Sequence, residues 1–210
     1  MARKKSGKDK SEPQSTLYYF YTQERWDNWL KTLEEMDFEG DPESEEMPEG
    51  LQSLGNFTQD INVSVLKIMK LFLNGNYGAE TALGKLNEVE EIVMANAPEG
   101  ELTDIIEGIQ LRFLVLFLAC KKVISGDAEG DIKTLVKDGR AVSDDDSAKA
   151  LEIAATIGAL VINGKPCCGK YLRGDMDEPT FFDDWLIEID EMGASLKTLK
   201  NFDEQFGEGV

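Results

Sequence analysis

The chain contains no histidine and only three cysteines among its 210 residues. Without histidine, neither a Ser-His-Asp triad nor a Cys-His pair can form within the chain. Zinc bound by histidine, iron bound by two histidines and a carboxylate, and haem with an axial histidine are excluded for the same reason. The chemistry that survives uses carboxylates, lysines or thiols, or is completed by another subunit.

Long hydrophobic runs are also missing. The most apolar run, Phe113–Cys120, has eight residues, whereas a membrane span needs about 20. Residues 1–16 are polar and lack the apolar centre of a signal peptide. Three cysteines do not make a disulfide framework, and this favours a reducing compartment. The sequence therefore predicts a cytoplasmic protein with no membrane contact.

Acidic side chains are abundant, and the formal net charge is −19. Residues 1–15 hold five bases and two acids, a charge of +3, while the remainder holds 17 bases and 39 acids, a charge of −22. An acidic body repels nucleic acids and anionic membranes. We therefore expect a protein partner with a basic surface, and nucleic-acid contact only through the basic tail 1–15. Formation of a homo-oligomer is left open.

Apolar residues recur at helical spacing, and no segment alternates with a period of two. The fold class predicted is all-α: an irregular bundle or stacked antiparallel helical hairpins of about seven helices. The fourth helix, 103–124, is apolar on nearly all sides in its second half, so we place it at the centre. The first predicted helix begins near Thr22, and the next three run over 58–73, 79–95 and 103–124. A fifth helix includes Ile132 to Val136. The sixth begins at Ser143, and the last begins after Thr180.

Several local details accompany these helices. Six residues of the third helix are expected to face inward: Ala79, Ala82, Leu83, Leu86, Val89 and Val93. Small residues from Ala154 to Ala159 give the sixth helix a thin surface that allows another helix to approach closely. Thr180 and Asp183 form a capping box. The last helix is either continuous or broken near Gly193.

The chain organisation follows from composition. Residues 1–16 are predicted to be a disordered basic tail, residues 17–206 a single helical domain, and residues 207–210 a tail. Within the domain, the stretch 39–50 has many acids and two prolines, and it is predicted to be an acidic linker.

One string, Gly164–Tyr171, nearly spells the phosphate-binding loop G-x-x-x-x-G-K-[ST]. Tyr171 stands where the serine or threonine that binds Mg²⁺ should be. A helix is predicted before the string instead of a strand, and no good helix is predicted after it. We therefore do not assign nucleotide binding, and the sequence predicts no cofactor.

The adjacent thiols Cys167 and Cys168 in the same string leave three alternatives. They are structural residues of a loop, a redox-active pair, or ligands of a soft metal. Lys165 and Lys170 could lower the pKa of a nearby thiol. A closed zinc site needs four ligands, and the third cysteine, Cys120, lies in the most apolar helix, where we expect an inert core residue.

Aromatic residues are concentrated near the two ends of the chain. Most of them are expected in the core. Tyr19 and Phe181 exceed what one helix face needs, so they are the candidates for a partner surface.

The segment Tyr18–Leu30, YYFYTQERWDNWL, resembles the opening of a family of uncharacterised archaeal proteins known as a domain of unknown function. The length, the acidity and the segment Asn163–Tyr171 are similar too, and the resemblance covers most of residues 17–200. It implies an archaeal, methanogen-like cytosol. It implies no activity and assigns no functional residues.

The sequence as a whole favours a non-enzymatic interaction protein, an adaptor or regulator, because no catalytic set converges. A thiol- or metal-dependent function centred on Cys167 and Cys168 is the alternative. An enzyme that uses carboxylates or a lysine remains open. No catalytic, cofactor-binding or metal-binding residue is assigned.

Overall fold

A computed structural model describes residues 20–39, 46–142, 146–166, 168–172 and 180–206. These residues form seven α-helices and one short 3₁₀-helix, with no strand among them, which confirms the all-α fold class. The elements in chain order are α1 Gln23–Glu34, α2 Glu49–Leu73, α3 Ala79–Val93, α4 Thr103–Ser125, α5 Ile132–Arg140, α6 Ser147–Ile162, the 3₁₀-helix Cys168–Tyr171 and α7 Phe181–Phe206. None of the helices in these ranges is long and apolar enough to cross a membrane.

Helix α4 lies at the centre, as its sequence predicts. It packs against α2, α3, α6 and α7. The residues Phe113, Leu116 and Phe117 are each at most 1 % exposed. Burial of one such side chain stabilises the fold by about 1.5–3 kcal/mol relative to its exposure to water. Helix α6 approaches α4 closely at Gly158, where an added Cβ would stand 2.8 Å from Cβ of Ala119. The small residues of α6 therefore serve the close helix packing that the sequence predicts.

Helix α2 begins earlier than the sequence suggests. Its first residue is Glu49 rather than a residue near Thr58, so the helix includes the last two positions of the predicted linker. The reason is tertiary packing: Phe57 is fully buried, and its ring lies 5.3 Å from that of Trp26 in α1. Gly50 allows the first turn to approach the segment that follows α1, since a Cβ there would stand 2.7 Å from the carbonyl oxygen of Asp37.

Three further details of the helices differ from the sequence predictions or decide between alternatives that the sequence left open. Helix α6 is capped by Asp146, whose carboxylate accepts from the backbone N–H of Lys149 at 3.3 Å, whereas the predicted cap Ser143 lies outside the described residues. Helix α7 continues through Gly193 without a break. Ala79 and Leu83 are exposed, so their predicted inward orientation is wrong. The other four residues predicted to face inward are confirmed, because helix α3 packs through Ala82, Leu86, Val89 and Val93.

Two predicted helix starts are confirmed in atomic detail. Thr22 caps α1, and its hydroxyl accepts from the backbone N–H of Arg25. At the start of α7, the Asp183 carboxylate accepts from the hydroxyl of Thr180 at 2.9 Å and from its backbone N–H at 3.4 Å. The division into a basic tail, one domain and short end segments stays a prediction.

Candidate functional site

The thiol-containing string lies between α6 and α7. Cys167 lies outside the described residues, and for Cys168 and Lys170 only the backbone, within the 3₁₀-helix, is described. The Nζ of Lys165 donates to the carbonyl oxygen of Gly130 at 3.0 Å. The thiol interpretation of this loop therefore stays a prediction.

The setting of the string differs from that of a phosphate-binding loop. Helix α6 precedes it, and a single 3₁₀ turn, Cys168–Tyr171, occupies the place where a long helix should start. A segment that the sequence predicts as loop is thus partly helical. The turn packs on α7 closely enough that a Cβ on Gly169 would stand 3.2 Å from a carboxylate oxygen of Asp190.

A buried ion pair holds this turn against the start of α7. The Nε of Arg140 donates to the Asp183 carboxylate at 3.0 Å, and a terminal nitrogen of the same side chain donates to the carbonyl oxygen of Tyr171 at 2.8 Å. Asp183 is only 3 % exposed. One arginine therefore ties α5, the 3₁₀ turn and α7 together, which gives this region an evident structural role.

Cys120 lies in the second half of α4 and is fully buried. Burial raises the pKa of its thiol, and the nearby Glu90 carboxylate acts in the same direction. A thiol held neutral and away from solvent is a poor nucleophile and a poor metal ligand. The predicted core position of Cys120 is confirmed, and its low reactivity stays a prediction.

An open groove lies between α4 and the start of α7, and we call it the α4–α7 groove. It has a volume of about 370 Å³. Its apolar lining consists of Leu54, Ile105, Ile109, Leu111, Phe181 and Trp185. Phe181, a candidate from the sequence, stands at one edge with 60 % of its surface exposed. Tyr19, the other aromatic candidate, lies outside the described residues.

The polar residues of the α4–α7 groove are mostly acidic. Asp104 and Asp184 line it, and neither makes an ion pair with another described residue. Arg112 also lines it, but its guanidinium already binds Glu188 at 3.1 Å and Glu191 at 3.2 Å. The free charge that the described side chains present to this groove is therefore negative.

Behind Arg112 lies a buried polar cluster that joins α2, α4 and α7. Glu188 is fully buried, and its carboxylate accepts from Nδ2 of Asn62 at 2.7 Å as well as from Arg112. Burial raises the pKa of Glu188 to about 7, against the lowering effects of Arg112 and Asn62. The Oδ1 of Asn62 is buried without a hydrogen-bond partner among the described side chains and backbone. Such a cluster is sensitive to the charge of one carboxyl group.

One of three comparisons with known proteins identifies the chain. Residues 19–205 match the model of a family described as uncharacterised protein conserved in archaea, domain of unknown function 2150. The chain belongs to this family. No curated protein and no solved structure shows significant similarity to it. The family membership confirms the resemblance seen at Tyr18–Leu30 and assigns no role to any side chain.

Sequence reasoning missed the cluster around Glu188, although a signal for it exists. Glu188 follows Trp185 by three residues and precedes Met192 by four, so it lies on the apolar face of α7. An acid on an apolar helical face indicates a carboxyl group that is buried together with polar partners. Partners are expected because carboxyl groups are almost never buried without them. Its partners Asn62 and Arg112 come from distant helices and carry no local signal.

Proposed function

We propose that this archaeal protein is a non-enzymatic adaptor or regulator that binds a protein partner with a basic surface in the cytoplasm. The observation that supports this role is the α4–α7 groove, where Phe181 is 60 % exposed beside two acids that make no ion pair with another described residue. A large aromatic ring left in water next to other exposed apolar groups is typical of an interaction surface.

The charge of the chain is consistent with the same role. A body with a charge of −22 outside the first 15 residues attracts basic partners and speeds their encounter. The apolar groove supplies area to bury, while the acids supply orientation and specificity more than affinity. Binding through such a surface should weaken as salt screens the charges.

The direct test is affinity purification of the tagged full chain from an extract of an archaeon that encodes a family member, at low and at high salt. We expect a basic protein that binds again after separate purification and that binds less at high salt. Recovery of no such protein at either salt would refute the proposal.

Matched variants show whether the exposed aromatic ring takes part. Phe181→Ser should reduce recovery of the partner, because the variant removes the most exposed apolar group of the groove. Leu83→Ser is the control, since Leu83 is also exposed, at 38 %, but lies on α3. The predicted contribution of Tyr19 is tested by Tyr19→Ser in the same assay.

The thiol- or metal-dependent function remains the alternative. It is supported only by the adjacent cysteines of the string, since the described residues hold no group of three or more metal-binding side chains. Metal analysis of anaerobically purified protein, together with thiol titration, tests it. Ordinary thiol reactivity without bound metal would remove this alternative.

A further inference from the structure

We propose that the α4–α7 groove binds an amphipathic helix of the partner, with apolar side chains on one face and lysine or arginine beside them. This inference rests on the proposed function and specifies its ligand. It follows from the shape of the groove, from an unfilled position in its lining, and from the sign of the charges along it.

The groove is an open apolar depression of about 370 Å³ between packed helices. Its walls are two helices, α4 and α7, with Leu54 of α2 at the margin. Trp185 is 3 % exposed, and its indole N–H donates to the backbone carbonyl of Leu111 at 3.0 Å, so α4 and α7 are joined at the groove itself. A preformed apolar channel of this kind suits the apolar face of an amphipathic helix.

Gly108 leaves room in the groove that the fold does not require. It lies inside α4, is exposed, and lines the groove. A Cβ at this position would meet nothing within 4 Å, so no neighbouring atom demands a glycine. Glycine inside a helix costs roughly 1 kcal/mol relative to alanine. The absent side chain keeps the groove open to a ligand.

The charges specify the flanks of the ligand. Asp104 and Asp184 make no ion pair with other described residues, while Arg112 is bound by Glu188 and Glu191. A ligand with cations beside its apolar face gains attraction there, and an acidic helix is repelled. The groove around Leu83 also holds acids, and its Lys121 and Lys122 are paired with Glu90 and Glu152. It differs in its lining, which includes neither a glycine nor an aromatic ring among the described residues.

The test uses the full chain and a synthetic helical peptide of leucine and lysine with all leucines on one face. Two further peptides serve as controls: one with glutamate for lysine, and one with the same composition but strict alternation, which has no apolar helical face. Binding is followed by fluorescence anisotropy at low and high salt. We expect the chain to bind only the first peptide well.

Gly108→Leu is the decisive variant, since its side chain enters the groove without displacing an atom of the fold. Gly84→Leu is its matched control, because Gly84 is likewise exposed within a helix, α3, with nothing within 4 Å of a Cβ. We expect Gly108→Leu to weaken binding of the first peptide about tenfold or more, and Gly84→Leu to leave it unchanged. Thermal unfolding verifies that both variants fold.

A second pair of variants tests the charges. Asp104→Lys should weaken peptide binding more at low salt than at high salt. Glu80→Lys is the control. Both Asp104 and Glu80 are exposed acids in the first turn of a helix, but Glu80 lies in α3 and not in α4. Equal effects of the two variants would show that only total charge matters, which would overturn the assignment of the groove.

The remaining outcomes each decide the question. Equal binding by the two leucine variants, or equal binding of the alternating peptide, overturns the proposal. A change of oligomeric state caused by Gly108→Leu alone assigns the groove to a second copy of the chain. Much tighter peptide binding after deletion of residues 1–16 assigns it to the basic tail. If a purified partner binds Gly108→Leu as tightly as it binds the unchanged chain, the assignment of the groove is overturned but the proposed function is not. If no partner is found, the proposed function itself is overturned.

Discussion

Replacement of Glu188 by glutamine is expected to flatten the dependence of stability on pH. Glu188 is fully buried, and burial raises the pKa of its carboxyl from 4.5 to about 7 in the folded chain. Between these values the folded state holds a proton that the unfolded state has released. The free energy of unfolding therefore falls as the pH rises from about 4.5 to about 7.

The magnitude follows from the difference between the two pKa values. One pKa unit corresponds to about 1.4 kcal/mol, so the carboxyl costs about 3 kcal/mol of stability above pH 7 relative to its protonated form. The groups that face it are Arg112, Asn62 and Glu191, and the first two already oppose the effect of burial. Glutamine keeps the shape of the protonated acid and cannot ionise, so Glu188→Gln should lose this pH-dependent cost.

Urea unfolding between about pH 5 and pH 8 measures the effect. We expect the stability of Glu188→Gln relative to the unchanged chain to rise by about 3 kcal/mol across this range. Glu191→Gln is the control, because Glu191 binds the same Arg112 but is 47 % exposed, and exposed pairs contribute about 1 kcal/mol or less. If the difference between Glu188→Gln and the unchanged chain is constant with pH, or falls as pH rises, the reasoning is refuted.

Three further predictions concern packing, the buried ion pair and the buried thiol. Gly139→Ala should lower stability by about 1–3 kcal/mol, because its Cβ would stand 2.0 Å from the ring of the buried Phe182. Gly84→Ala should raise stability by about 0.5–1 kcal/mol. Equal urea midpoints of the two variants would contradict this prediction. Arg140→Gln should lower stability by about 3 kcal/mol in the same assay, because it leaves the buried Asp183 carboxylate without its cation. Arg140→Lys should recover part of that loss. A loss for Arg140→Gln no larger than that of an ordinary surface substitution would contradict the importance of this ion pair. In a variant whose other two cysteines are serine, Cys120 should react with a thiol reagent only when urea is added, and rapid reaction of the native protein would contradict its burial.

The helices themselves could be predicted because their signals are local. The apolar spacing of α4, the capping hydroxyl of Thr22 and the pair Thr180 and Asp183 lie within a few residues of the turns they specify. Each of these predictions is confirmed. The start of α2 was misplaced because the ring of Phe57 is buried against another helix, and this contact outweighs the local glycines and acids.

The candidate site could be predicted only in part. The sequence singled out Phe181 as an aromatic in excess of its helix face, and the structure exposes it beside Asp104 and Gly108, which lie more than 70 positions earlier in the chain. Nothing in the sequence near α4 indicates that these residues face the start of α7. The proximity results from the packing of α7 on α4 through the bond from Trp185 to the Leu111 carbonyl.

The amino-acid sequence by itself determined that this chain folds as a set of amphipathic helices around an apolar one, because the periodicity of apolar residues acts within each segment. Only the tertiary structure decided which side chains stay in water and which carboxyl groups are buried. Both depend on contacts between helices far apart in the chain. Glu188 shows the physical reason: an acid that would be ordinary on a solvated face acquires a raised pKa when α2 and α4 exclude water from it.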